Sequence, residues 1–474
     1  MERVIYSIRN FTVQLKFIAM KKLSLLVLVL FVISCKQEEK PDYSVLNGMV
    51  ENNTAESAFI RGNDFEALIP INDKGAFTDT LHLKKDGFYE LYVGRERTEV
   101  YLEKGMELTV NLNADAFDES LKYTGDLANV NNFLAAKYLW GEQNIDSKMT
   151  FSLDENKFKE RLGQNKKSLD SLYATYKIDN ESFKKKLDEE EKYSHALMIE
   201  NYKDAHRYYS GDEAFRVSDD FYDGLKNISF NDTLAYRNSM AYQNLLDAHF
   251  NRLVNEETFE SGDNNQTILY LKKVNEALPN GYAKDKIMSS YLQFGLKPDS
   301  TLDQAYNIYK KSNPNPENLA KLTERYNKLK TITKDNPSPT FNYENHKGGT
   351  TDLASLKGNY VYIDVWATWC GPCLREIPSL KEVEKDYHNK NIKFVSISID
   401  EPKDYKKWKA MVAEKELGGI QLMADNNWKS KFVEDYAILG IPRFILIDPQ
   451  GNIVSADAPR PSDPALRKTL DALM

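Results

Sequence analysis

Cys370 and Cys373 lie one helical turn's length apart in Trp369-Cys370-Gly371-Pro372-Cys373. At this spacing the second sulfur can reach the first, so the pair can cycle between dithiol and disulfide. The first cysteine of such a pair attacks a disulfide, and the second resolves the mixed disulfide by intramolecular attack. Cys370 is therefore the candidate nucleophile and Cys373 the candidate resolving thiol. The nucleophile is a thiolate, and a helix starting at the motif would favour it. Unpaired backbone N–H groups and the positive end of the helix dipole would then sit beside the first sulfur. The one further cysteine is Cys35, so no pair is left for a structural disulfide. Half a zinc site is the other use of Cys-x-x-Cys. The region around it has no second cysteine pair, and its only histidines are His346 and His388. No metal and no cofactor is expected.

The dithiol needs elements to hold it. Tyr360 to Trp366 is rich in β-branched and aromatic residues and predicts a buried strand ending just before the motif. Leu374 to His388 predicts the helix that follows it. Ile392 to Ile399 predicts a second buried strand, and Lys403–Glu414 a helix leading to Ile420–Met423. Another helix is expected near Trp428–Tyr436. Arg443–Asp448 and Asn452–Ser455 predict two strands joined at Pro449-Gln450-Gly451, and a helix ends the chain. This order predicts an α/β domain over residues 340–474.

Upstream the pattern changes twice. Residues 43–127 alternate apolar and polar at period two, as in Met106, Leu108, Val110 and Leu112. Turn signals recur at Asn72–Gly75, Lys85–Gly87 and Glu103–Gly105, which predicts a small antiparallel sandwich or barrel. Residues 128–334 predict helices; Phe158, Leu162, Leu169, Leu172 and Tyr176 share one helical face. His195 and His206 lie in this stretch without a neighbouring ligand pattern. Asp335-Asn336-Pro337-Ser338-Pro339 reads as a linker, residues 335–339. The chain of 474 residues is thus multidomain. Its net charge of −8, without a basic stripe, argues against nucleic-acid binding.

The N-terminus reads as an address. Lys21 and Lys22 precede an apolar run from Leu23 to Ile33, too short to span a bilayer and suited to a secretory signal. Val32-Ile33-Ser34-Cys35 resembles a bacterial lipobox, which makes residues 1–35 a signal peptide and Cys35 the lipidated residue. Met20-Lys21-Lys22 offers an alternative start. Residues 36–42 read as a solvated tether; the acidic residues just after Cys35 also resemble tags that send lipoproteins to the outer surface. The expected location is the cell envelope, lipid-anchored and facing the periplasm, with the outer surface as the alternative.

Ile363-Asp364-Val365-Trp366-Ala367-Thr368-Trp369-Cys370-Gly371-Pro372-Cys373 resembles the thioredoxin-superfamily signature. With the lipid signal, the β-rich module and Ala458-Pro459-Arg460-Pro461-Ser462, the chain is similar to multidomain lipoproteins of the TlpA/ResA-like branch. The resemblance implies a thioredoxin-like fold and a thiol-disulfide oxidoreductase. It places a buried acid at Asp364 as proton relay to Cys373, and a cavity acid at Glu376. It places a helix kink at Pro378 and the family's cis-proline at Ile441-Pro442, which offers a backbone edge to substrate. Trp366 would pack in the core. Trp369, Gly371 and Pro372 would border the substrate. Gly371-Pro372 is also the dipeptide of reducing thioredoxins, so the implied direction is reduction of protein disulfides. That implies a membrane electron donor of the DsbD/CcdA type, with cytochrome c maturation or thiol repair as tasks. The alternatives are a thiol peroxidase, although its Pro-x-x-x-Thr-x-x-Cys pattern is absent before Cys370, and a binding or anchoring lipoprotein with a secondary redox domain.

Overall fold

The computed structural model describes residues 41–62, 65–262 and 265–474. The expected signal peptide, the lipidation candidate Cys35 and the expected tether up to residue 40 lie outside the described residues. The chain divides into two compact units, one ending at Glu189 and one running Glu190–Met474.

The first unit opens with eight strands: β1 (Ser44–Glu51), β2 (Ser57–Gly62), β3 (Phe65–Pro70), β4 (Ala76–Leu81), β5 (Gly87–Val93), β6 (Glu96–Leu102), β7 (Glu107–Asn113) and β8 (Lys122–Gly125). They form two sheets, ordered β4-β1-β7-β8 and β3-β2-β5-β6. Alternate side chains of both sheets, among them Leu46, Ile60, Leu91, Val100 and Val110, share one core, so the module is a sandwich. It is not wholly antiparallel as expected, because β1 and β7 pair in parallel. A hairpin cannot join parallel neighbours, and the chain between them runs through the other sheet. Helices follow at Ala128–Asn144, Ser147–Phe151 and Glu155–Thr175, then the long helix Glu181–Ser210. Phe158 and Leu162 are buried while Leu172 and Tyr176 pack partly buried, as the shared face requires.

The second unit continues with helices Thr233–Asn238, Met240–Ser261, Gln266–Ala277, Tyr282–Gly295, Leu302–Lys311 and Pro316–Lys330. The middle of the chain is therefore helical, as predicted. It also buries charge. Glu200 takes a hydrogen bond from Arg252 and pairs with His249 at 2.8 Å, and Arg252 bonds Glu256 at 3.0 Å. Burial pushes the Glu200 carboxyl up, but His249 and Arg252 outweigh it and hold it below its ordinary value.

After these helices comes one seven-stranded sheet. Its strands are β9 (Asn342–Asn345), β10 (Thr350–Asp352), β11 (Tyr360–Trp366), β12 (Ile392–Ser398), β13 (Ile420–Met423), β14 (Arg443–Ile447) and β15 (Ile453–Ser455). The order is β10-β9-β13-β12-β11-β14-β15. β11 lies inside the sheet, parallel to β12 and antiparallel to β14. Helices Gly371–Tyr387 and Pro464–Leu473 bury Leu380, Val383, Leu466 and Leu470 with Tyr362, Phe394 and Phe444 in one cluster. The layout matches the predicted α/β domain with two additions. The β9–β10 hairpin has short polar strands, and its signal was the turn at Gly348-Gly349. Residues 335–339, read as a linker, are bound to the β14–β15 hairpin: Asp335 N donates to Ile453 O at 2.8 Å and Ser338 N to Gly451 O at 2.9 Å.

Candidate active site

β11 delivers the chain to the site. Its buried residues Val361, Ile363, Val365 and Trp366 anchor it between β12 and β14, and the chain leaves the sheet at Ala367. Cys370 then takes the N-cap position of helix Gly371–Tyr387, with Pro372 in the first turn. The helix thus begins three residues earlier than Leu374, where the sequence placed it. Proline is tolerated there because its missing N–H would have no helical partner. Cys373 N donates to Cys370 Sγ at 3.2 Å, so the first sulfur receives the helix N-terminal N–H. That geometry favours a thiolate on Cys370 in the reduced form. Cys370 and Cys373 are joined as a disulfide. Each is only 4% exposed.

The loop into the helix is held from β12. Thr368 N and Oγ1 both donate to Asp400, the hydroxyl at 2.8 Å, and Ser398 Oγ donates to the same carboxylate at 2.6 Å. Asp400 is fully buried. Sequence reasoning missed it, although an acid directly after the buried run Ile392–Ile399 was the signal. Asp400→Ala would leave three donors unpaired. It is expected to lower stability by about 2 kcal/mol and to slow disulfide opening through a loosened Thr368–Cys370 turn. Urea unfolding and dithiothreitol reduction kinetics of that variant check both effects; unchanged values would mean the loop holds itself.

Asp364 borders a small cavity beneath the helix, lined also by Trp366, Lys381, Glu384, Ser396 and Gln421. Burial, with the charges of Glu376 and Glu384, raises its carboxyl from 3.8 to about 8. Asp364 keeps partial exposure, whereas Glu376 is buried and does not line this cavity. It accepts from Ser462 N at 3.0 Å and Ser462 Oγ at 2.9 Å, and so ties the helix to the loop before the C-terminal helix. Pro378 lies inside the helix. The Ile441–Pro442 bond is cis. Tyr362 OH donates to Pro459 O at 2.7 Å, which fixes the Ala458–Ser462 stretch against β11.

Trp366 is buried, whereas Trp369 is 50% exposed. Trp369 pairs with Trp428, ring centroids 6.5 Å apart. Trp428 and Leu439, two residues before Ile441, are exposed too. Trp369 was expected at the site; the exposed Trp428 and Leu439 were not. Exposure of large apolar side chains has no periodic signature in a sequence.

A mixed sheet with a Cys-x-x-Cys disulfide at the start of a helix and a cis X-Pro bond before β14 defines a thioredoxin-like domain. A family model described as Redoxin matches residues 333–473. This C-terminal region is a Redoxin domain of the thioredoxin superfamily. The thiol-disulfide oxidoreductase ResA of Bacillus subtilis is 25% identical over 124 residues, covering 26% of this chain and 66% of ResA. The thioredoxin-like protein YneN of Bacillus subtilis is 26% identical over 133 residues, covering 28% of this chain and 76% of YneN. A solved thiol-disulfide oxidoreductase from Bacteroides fragilis is 29% identical, covers 29% of this chain and 99% of its own, and has a TM-score of 0.27. The chain spans just under two thirds of the ResA relatives, 66% and 65% in two of them.

Proposed function

We propose that this protein is a thiol-disulfide oxidoreductase that reduces protein disulfides outside the cytoplasm, held to a membrane by lipid on Cys35. The placement of Cys370 Sγ under the Cys373 N–H at the helix start carries this reading. Likeness to ResA supports the enzyme class.

In the reduced protein the Cys370 thiolate attacks a client disulfide. One client sulfur leaves as thiolate and takes a proton, and the other is joined to Cys370. Asp364 accepts the Cys373 proton, and the Cys373 thiolate attacks Cys370 Sγ. The second client sulfur leaves, and Cys370–Cys373 closes. Two electrons pass from the protein to the client. Trp369, Trp428 and the Ile441-Pro442 edge hold the client segment, with Gly371 and Pro372 exposed beside it. A membrane dithiol donor of the DsbD/CcdA type returns the electrons. Clients include wrongly oxidised thiols, those of cytochrome c precursors among them.

Cys373→Ser removes the resolving thiol, so clients should accumulate as mixed disulfides on Cys370. Expressed with its natural N-terminus, this variant should yield dithiothreitol-sensitive adducts in the membrane fraction. Adding Cys35→Ser should release them to the soluble fraction. Recovery of no adduct would refute the client reaction, and unchanged partitioning would refute the anchor.

A further inference from the structure

The cavity beside Asp364 has mostly apolar walls, Ile377, Leu380 and Leu417 among them, into which a few polar groups are set. It has room for about one water molecule. Asp364 of β11 and Glu384 of the active-site helix both line it. Gln421 and Trp366 line it too, and neither Gln421 Oε1 nor Trp366 Nε1, both buried, has a hydrogen-bond partner. One acceptor, one donor and two carboxyl groups around such a space suit a single bridging water, which needs two to four polar partners.

Glu384 is held there by design of the neighbouring loop. A Cβ at Gly418 would collide with Glu384 Oε2, and one at Gly419 would come within 2.9 Å of Glu384 Oε1. Gln421 Nε2 donates to Gly418 O at 2.8 Å and fixes this glycine pair. Glu384 is partly exposed, so its carboxyl touches both the cavity and the surface.

Resting on the reading that Asp364 exchanges a proton with Cys373, we propose that Glu384 is its partner. Across the cavity the two acids form one coupled carboxyl pair. Glu384 is a positioning residue that supplies and removes the proton of Asp364, and it sets the pH range in which Cys373 can be protonated. When a thiolate opens the disulfide at Cys370, the Cys370–Cys373 bond breaks and Cys373 leaves as thiolate. The Asp364 carboxylic acid gives it a proton and becomes carboxylate. The bridging water then returns a proton to Asp364 and takes one from Glu384, which refills from solvent. Two negative charges around one small space repel, so ionisation of either acid hinders the other. Burial raises Glu384 to about 7, with Lys381 pulling the other way.

The groups facing the pair are few. Glu376 and Lys381 come from the same helix and Tyr362 from β11; Ser396 of β12 and Gln421 of β13 are neutral. Lys381 is also engaged with Lys415 O.

The test is single-turnover reduction of the oxidised full chain by dithiothreitol, read by alkylation mass shift between pH 5.5 and 9.5 and corrected for the reagent's thiolate fraction. This reading needs no protein client. The corrected rate of the unaltered protein should fall as pH rises through the titration of Asp364. Glu384→Gln should move that fall to lower pH and cost roughly 10-fold in rate at pH 8, less than the ~10²-fold of a direct general acid because Glu384 acts through Asp364. Glu384→Asp keeps the charge and should restore most of the profile. In an Asp364→Asn background, Glu384→Gln should change nothing further. An unchanged profile in Glu384→Gln, or an equal effect in both backgrounds, would overturn the pair. Failure of the unaltered protein to reduce any protein disulfide, with this pH profile intact, would overturn the proposed function alone.

Discussion

Cys370→Ser is expected to abolish disulfide reduction, a loss of at least ~10³-fold, or about 4 kcal/mol of transition-state stabilisation. A serine hydroxyl stays protonated in the whole range where a thiol at a helix start ionises, so no attacking anion remains. The fold should survive the change. Cys370 is an N-cap residue whose side chain accepts from Cys373 N, and serine performs that task well. The lost activity would therefore report chemistry, not unfolding. The measurement is insulin reduction under dithiothreitol, with circular dichroism of the variant alongside. Activity above the uncatalysed rate in a folded Cys370→Ser protein would refute the assignment of the nucleophile. Cys373→Ser fails differently: it still attacks, but stalls as the mixed disulfide.

How much of this was legible beforehand follows from how each feature is encoded. The dithiol, the strand before it and the helix after it are local, and contiguous residues Tyr360 to His388 carry them. Asp364 was singled out by the resemblance, six residues before Cys370, and an acid inside an apolar strand is costly enough to be conspicuous. Asp400 and Trp428 were not, since each acts on Thr368 or Trp369 from a distant strand or loop and only the sheet order brings them near. Glu384 lies in between. It falls eight residues after Glu376, on the face that buries Leu380 and Val383, and that spacing was available in the sequence. Glu376 carries the opposite lesson. Its position matched a cavity acid, but Ser462 occupies both of its oxygens. The parallel pairing of β1 with β7 could not be read either, because alternation specifies which face is buried and not which neighbour pairs.

Asp364→Asn is expected to make the protein more stable at alkaline pH and a poorer catalyst. Folding raises this carboxyl from 3.8 to about 8. A raised pKa in the folded state means that the native protein binds the proton more tightly than the unfolded chain. The contribution to stability is complete below pH 3.8, shrinks as pH rises and is gone above about pH 8, where the buried site holds an anion. Each pKa unit corresponds to about 1.4 kcal/mol, and the cavity beside Asp364 admits some solvent screening, so about 4 kcal/mol is expected to be lost across this window. Asparagine has the same shape and no charge, so its variant should lack that decline. Urea midpoints of the two proteins should be close at pH 4.5 and diverge steadily to pH 8.5. A parallel decline in both would mean that water already solvates the carboxylate. The cost appears in the chemistry. With its midpoint about one unit above neutrality, Asp364 can both give and take a proton at pH 7, as a relay must. Asparagine can do neither, and resolution of the mixed disulfide should slow about 10²-fold. A stable fold would not retain a buried acid here for its own sake, so opposite signs in stability and rate would identify Asp364 as a group kept for the dithiol.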